Sequence, residues 1–94
     1  MSRLIMFHAR ECPHCKAMMP LVEKLENEEK VNVEKFEVWH DEKNADLMRS
    51  YRADIAPKCG GQLRTPTFFN PETKDVLCGE VPYAKLKDWA LKRG

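Results

Sequence analysis

Ninety-four residues, 43 % hydrophobic and 33 % charged, suffice for one small core and not for two, so a single domain over residues 1–94 is expected and a disordered chain is excluded. Sixteen Lys+Arg against fifteen Asp+Glu leave a net charge of +1, and the interspersed signs remove the basic footprint that a nucleic-acid binder needs. The longest apolar runs, such as Leu4 to Phe7, are about four residues, far below the roughly 20 that a bilayer span requires, so no membrane partner is expected.

The start, Met1-Ser2-Arg3-Leu4, lacks the apolar segment and small-residue cleavage site of a secretion signal, and a cytoplasmic location is expected. Arg3 to His8 is an apolar run bounded by charge, which predicts a strand covered on both faces. Pro13 suits a first helical position, and Met18, Leu21, Val22 and Leu25 follow at helical spacing, predicting a helix over 13–28. Pro20 inside it removes one backbone bond, so a bend is expected at residues 16–20. Val31 to Trp39, rich in β-branched and aromatic residues, reads as a second strand with imperfect alternation.

Asp41 caps a predicted second helix reaching about Tyr51. Pro57, Gly60 and Gly61 break any period between Ala53 and Arg64, which predicts a long loop. Thr65 to Phe69 and Asp75 to Val81 read as two strands joined by the turn residues Asn70 to Lys74. A last helix over 83–92 carries Leu86, Trp89 and Ala90 on one face. The order βαβαββα implies an α/β fold with a mixed four-stranded sheet and helices on both faces.

Four cysteines fall short of the density of a disulfide scaffold, and a reducing compartment disfavours structural bridges. Two of them form Cys12-Pro13-His14-Cys15, a C-x-x-C whose first cysteine meets the start of a helix directly after a strand. Unpaired N–H groups there point at the sulfur and favour its thiolate, and His14 adds a donor while Glu11 opposes it. Cys12 is the candidate nucleophile and Cys15, one turn further in, the resolving thiol of a dithiol–disulfide exchange that needs no cofactor. Stabilising the thiolate makes the disulfide more oxidising. The alternative is a metal-binding module, holding zinc or copper through Cys12, Cys15 and Cys59, or a thiol-tethering one, although no second C-x-x-C completes a zinc ribbon. His8 and His40 read as ordinary surface or strand-end residues, Cys59 as a loop thiol with a third redox role in reserve, and Cys78 as a small core residue.

Cys12-Pro13-His14-Cys15-Lys16, Pro20, Thr65-Pro66-Thr67 opening a strand, and Cys78-Gly79 ahead of Leu86-Lys87-Asp88-Trp89 together resemble the thioredoxin superfamily over nearly the whole chain. The resemblance implies a minimal, glutaredoxin-sized core that begins at the family's active-site strand, and a protein disulfide oxidoreductase working as a monomer. Protein thiols and disulfides are the implied substrates, with an upstream reductase as partner. It also implies that Pro66 is a cis-proline facing the cysteine pair, that the Thr65 backbone pairs with an extended substrate, and that Gly79 keeps the groove shallow.

The chain departs from the pattern at several places. Met6 stands where thioredoxins carry a buried acid, Glu11 replaces the usual tryptophan, and Lys35 is the nearest match to a companion lysine. Thr65 rather than Val precedes Pro66, no Gly-Gly follows the fourth strand, and Arg10 is one place from the basic residue of glutaredoxins, so glutathione binding has no support.

Overall fold

The computed structural model describes residues 3–91. Four strands, β1 (Leu4–His8), β2 (Val33–Glu37), β3 (Thr67–Asn70) and β4 (Asp75–Cys78), form one sheet in the order β2-β1-β3-β4. β1 and β2 are parallel, and β3 is antiparallel to both β1 and β4. The helices are α1 (Pro13–Glu29), α2 (Glu42–Ser50), α3 (Arg52–Ile55) and α4 (Tyr83–Ala90), with a 3₁₀ turn at Ala56–Lys58.

β1 is apolar throughout because the pleat sends successive side chains to opposite faces and both faces are covered. Leu4 and Met6 join Met18, Val22 and Leu25 of α1 and Leu86 and Trp89 of α4, whereas Ile5 and Phe7 join Met48 of α2, Ile55 and Phe69. The uneven alternation of β2 has the same origin: Val31 and Val33 pack on the α1–α4 side, and Phe36 and Val38 on the other. Aromatic pairs tie each layer, Phe68 to Trp89 at 5.5 Å and Tyr51 to Phe69 at 4.7 Å between ring centroids, separations at which tilted rings attract.

α1 continues unbroken through the exposed Pro20. β2 is shorter than its composition suggests, leaving Val31 and Trp39 outside, and β3 and β4 are likewise shorter at Thr65 and Val81. The predicted extension of the last helix to Lys92 lies outside the described residues. The stretch read as a loop between Ala53 and Arg64 is instead largely helical at its start. Pro57 fits the first turn of the 3₁₀ segment, where its missing N–H costs nothing, and Gly60 (φ +73°) and Gly61 (φ +86°) terminate it. The residues that looked like breakers are the start and stop of a short helical turn, and Ile55 at the end of α3 just before it is fully buried.

The cysteines outside the motif also differ from expectation. Cys59 is buried and forms a disulfide with Cys78, 19 residues away, on the edge strand β4. Neither is a free thiol, and Cys78 is half-buried at the sheet edge, packed against the core layer that holds Cys59 rather than buried within it.

Asp41 accepts hydrogen bonds from the backbone N–H groups of Lys43 at 3.0 Å and Asn44 at 3.3 Å, which caps α2. Replacing it with alanine orphans two donors. Asp41→Ala should lower stability by about 1 kcal/mol in urea denaturation, with Asp41→Asn close to the parent.

Candidate active site

The sheet brings three separate pieces of chain to one end. Phe7 near the end of β1 pairs with Thr67 at the start of β3, and Thr67 pairs with Cys78 at the end of β4. Residues just after β1, just before β3 and just after β4 must therefore meet, which places Cys12–Cys15, Thr65–Pro66 and Gly79–Glu80 together. Cys12 Sγ lies 3.6 Å from the Thr65 carbonyl oxygen, and the Gly79 N–H donates to the Pro66 carbonyl at 2.7 Å. The Thr65–Pro66 peptide bond is cis.

Cys12 is the N-cap of α1, with Pro13 in the first turn and exposed. Its sulfur accepts a hydrogen bond from the Cys15 N–H at 3.3 Å, taking the place of the oxygen that a Ser, Thr or Asp cap supplies. Cys12 is 4 % exposed and Cys15 1 %, so the first sulfur is covered nearly as well as the second, which the sequence does not foretell. The two share a small apolar cluster with Ala9, at the margin of the protein, between the exposed residues Glu11 and His14.

The two thiols are driven apart in acidity. Burial works to raise Cys12, but hydrogen bonds from the Cys15 and Thr65 side chains and from the Cys15 and His14 backbone outweigh it, and its pKa falls below the ordinary value. Burial, reinforced by the hydrogen bond and charge of Cys12, pushes Cys15 up to about 11. A sulfur receiving donors favours its charged form, whereas at Cys15 burial outweighs the contacts from the Ala9 backbone and the Thr65 side chain that pull the other way. Met6 is fully buried in the apolar layer under α1 and supplies Cys15 with no carboxylate.

Ion pairs flank the motif on each side. The His14 ring Nδ1 lies 2.9 Å from the Glu80 carboxylate, a contact that raises the imidazole pKa, with the negative charge of Cys12 acting in the same direction. Glu11, which opposes a thiolate, is 2.6 Å from the His40 Nε2, and that hydrogen bond lowers its pKa. His40 is therefore the partner of Glu11 rather than a bystander. His8 ends β1, and burial lowers its pKa. Lys35 does not serve the thiols: its ammonium is held by Glu26 at 3.2 Å and by the Val33 carbonyl at 3.1 Å.

Two grooves meet at Thr65. One, of about 760 Å³, runs past His14, Arg64, Gly79 and Glu80, and the other, of about 450 Å³, past Trp39, Met48, Leu63 and Arg64. Gly79 has φ +80°, and a Cβ added there would touch nothing within 4 Å. That backbone conformation favours glycine, and Gly79 lines the larger groove. Trp39, read as part of the second strand, stands beyond it and is 57 % exposed on the groove rim. Neither Trp39 nor the Glu80 and His40 contacts carry a local sequence signal, because each depends on where distant segments are brought together. The described residues hold no group of three or more His, Cys, Asp or Glu placed to bind a metal ion, and none of their helices is long and apolar enough to cross a membrane.

Comparison with known proteins gives this arrangement a lineage. A search of curated proteins returned no match. The crystal structure of a glutaredoxin from Archaeoglobus fulgidus superposes with a TM-score of 0.66 at 18 % identity, covering 97 % of this chain and 88 % of that one, which is a likeness of fold. The thioredoxin family model matches residues 1–88, a span that takes in all three segments of the site. On that match the chain belongs to the thioredoxin family.

Proposed function

We propose that this chain is a thiol:disulfide oxidoreductase acting on protein disulfides and dithiols, with Cys12 as nucleophile and Cys15 as resolving thiol. The observation that carries the reading is the placement of one pair: Cys12 caps α1 and accepts the Cys15 N–H at 3.3 Å, beside the Thr65 carbonyl at 3.6 Å, an arrangement that favours a Cys12 thiolate and a neutral Cys15. Exchange needs one thiolate to attack and a second thiol that waits in its neutral form. The family membership and the glutaredoxin-like fold support it.

In the reducing direction, the Cys12 thiolate attacks one sulfur of a substrate disulfide, and the other substrate sulfur leaves and takes up a proton. The ionised Cys12 no longer donates to the Thr65 carbonyl, so that oxygen is free to accept an N–H from an extended substrate strand. Forming the mixed disulfide also removes the Cys12 charge and hydrogen bond that hold Cys15 high. Cys15 then loses its proton, attacks Cys12 Sγ and closes the Cys12–Cys15 bond, and the second substrate sulfur leaves. Two electrons pass to the substrate, and the reverse sequence oxidises a dithiol. In this reading His14 supplies positive charge beside Cys12, Pro13 sets the start of the helix, and Thr65, Pro66 and Gly79 line the substrate path. The metal-binding alternative loses its third ligand, because Cys59 is bonded to Cys78.

Four measurements test the proposal. Cys12→Ser should abolish dithiothreitol-driven reduction of insulin, and Cys15→Ser should accumulate a mixed disulfide on Cys12 seen by mass spectrometry; full turnover in either variant contradicts the roles given. Alkylation by iodoacetamide should rise with pH as the Cys12 thiolate forms, half-maximal below the free-thiol value of about 8.5. A Cys12 titrating at or above about 8.5 refutes the nucleophile. Because its thiolate is stabilised, the Cys12/Cys15 couple should equilibrate on the oxidising side of thioredoxin's roughly −270 mV.

A further inference from the structure

Four consecutive residues after the middle of β4 make contacts in four directions. Cys78 is bonded to Cys59, at the end of the 3₁₀ turn. The Gly79 N–H holds the Pro66 carbonyl at 2.7 Å, the Glu80 carboxylate lies 2.9 Å from His14 Nδ1, and the Val81 N–H donates to Met18 Sδ on α1 at 3.5 Å. The segment touches both halves of the candidate site, and its root is the only covalent cross-link among the described residues. Without that root, β4 is an edge strand of four residues, the least constrained place in a sheet.

We propose that the Cys59–Cys78 bridge anchors residues 78–81 as a brace that keeps the Glu80 carboxylate on His14, so that the state of this second cysteine pair sets the charge beside Cys12. Glu80 is then a positioning residue, acting through the imidazole. The consequence for catalysis rests on Cys12 being the nucleophile, but the brace itself does not. Exposed pairs such as His14 and Glu80, 68 % and 50 % exposed, gain little from mutual attraction and lose it easily when one partner becomes mobile. A covalent root close by reduces that mobility. The charged groups facing His14 are Glu80 from the brace, Cys12 from the helix cap and Arg64 across the groove. Glu11 is turned to His40. Of these, Glu80 is the group that the bridge tethers.

Opening the bridge takes a dithiol. A dithiothreitol thiolate attacks Cys78 Sγ, the less buried sulfur's residue; the S–S bond breaks, Cys59 leaves and is protonated. The second dithiothreitol thiol then displaces Cys78, so the reagent ends as its own cyclic disulfide and the protein gains two electrons and two protons.

The test uses the Cys12→Ser/Cys15→Ser double variant, in which the bridge is the one reducible bond, and follows the His14 ring by NMR across pH. With the bridge closed, His14 should titrate above the ordinary imidazole value of about 6.5; with dithiothreitol its midpoint should fall toward that value while the amide spectrum stays dispersed. Adding Glu80→Gln should lower the midpoint of the closed form and leave dithiothreitol nothing to change. The proposal is overturned if His14 titrates alike in closed and open forms, if dithiothreitol still shifts it in the Glu80→Gln background, or if reduction collapses the amide dispersion, which would make the bridge a staple of the whole fold. The measurement involves no exchange activity, so its failure leaves the proposed function standing, and loss of that function leaves the brace intact.

Discussion

Everything in the site depends on a hydrogen bond from the Cys15 N–H to Cys12 Sγ, 3.3 Å long. A helix begins with backbone donors that lack acceptors, and some side chain or water must supply one. In α1 the acceptor is sulfur, so the need of the helix and the need of a thiolate are met by one contact. A neutral thiol is a weak acceptor and a thiolate a strong one, which means that ionising Cys12 improves the cap. The fold and the chemistry are thus linked at the first turn of α1. A change that disturbed the cap would alter the acidity of Cys12 before it disturbed the packing of Val22 and Leu25 further along the helix.

The remainder of the site follows from strand pairing. Because β3 is antiparallel to β1 and β4 is antiparallel to β3, the end of β1, the start of β3 and the end of β4 lie side by side. Core packing holds that geometry: Phe68 and Phe69 of β3 are both fully buried, one on each face of the sheet. No residue of the Thr65–Pro66 turn needs affinity for the cysteines in order to be near them. Its position is set by a register that the hydrophobic layers enforce, since a slip by one residue would turn Phe68 and Phe69 to the wrong layers.

What could be read from the sequence was what local patterns carry. β1, α1, the β3–β4 hairpin and α4 announce themselves through apolar periodicity, Pro13 and the Asn70 turn, and the C-x-x-C marks its own place at the start of a helix. The limits of legibility have physical causes. Pro57 and the Gly60-Gly61 pair are compatible with both a loop and a short helical turn, and the burial of Ile55, a tertiary matter, decides. Cys59 and Cys78 bond across 19 residues of chain, a meeting produced only when the 3₁₀ turn docks on β4. Likewise His14 and Glu80 are 66 positions apart, and His40 and Glu11 are 29 apart. Local composition marks the cysteines with their neighbours His14 and Glu11, whereas the partners of those two, Glu80 and His40, are chosen by the folded surface.

Those partners divide the stabilisation of the Cys12 thiolate into two parts of different character. The backbone donors at the helix start do not titrate, so their contribution is the same at every pH where the fold persists. The rim does titrate: Glu80 raises the His14 pKa, so imidazolium persists to higher pH than an isolated histidine would allow, and above that point its attraction for Cys12 is lost. Glu11 is the opposing charge, and its bond to His40 places a proton donor on the carboxylate that would otherwise repel the sulfur. The Cys15 and Thr65 side chains, with the backbone donors of Cys15 and His14, lower the Cys12 pKa, and the rim imidazole adds a charge that changes over the range in which histidines titrate. This explains why a short polar spacer can tune the pair without being packed: Pro13 and His14 are both exposed, and the field of a charged ring near the surface reaches the sulfur even though the ring is in contact with water.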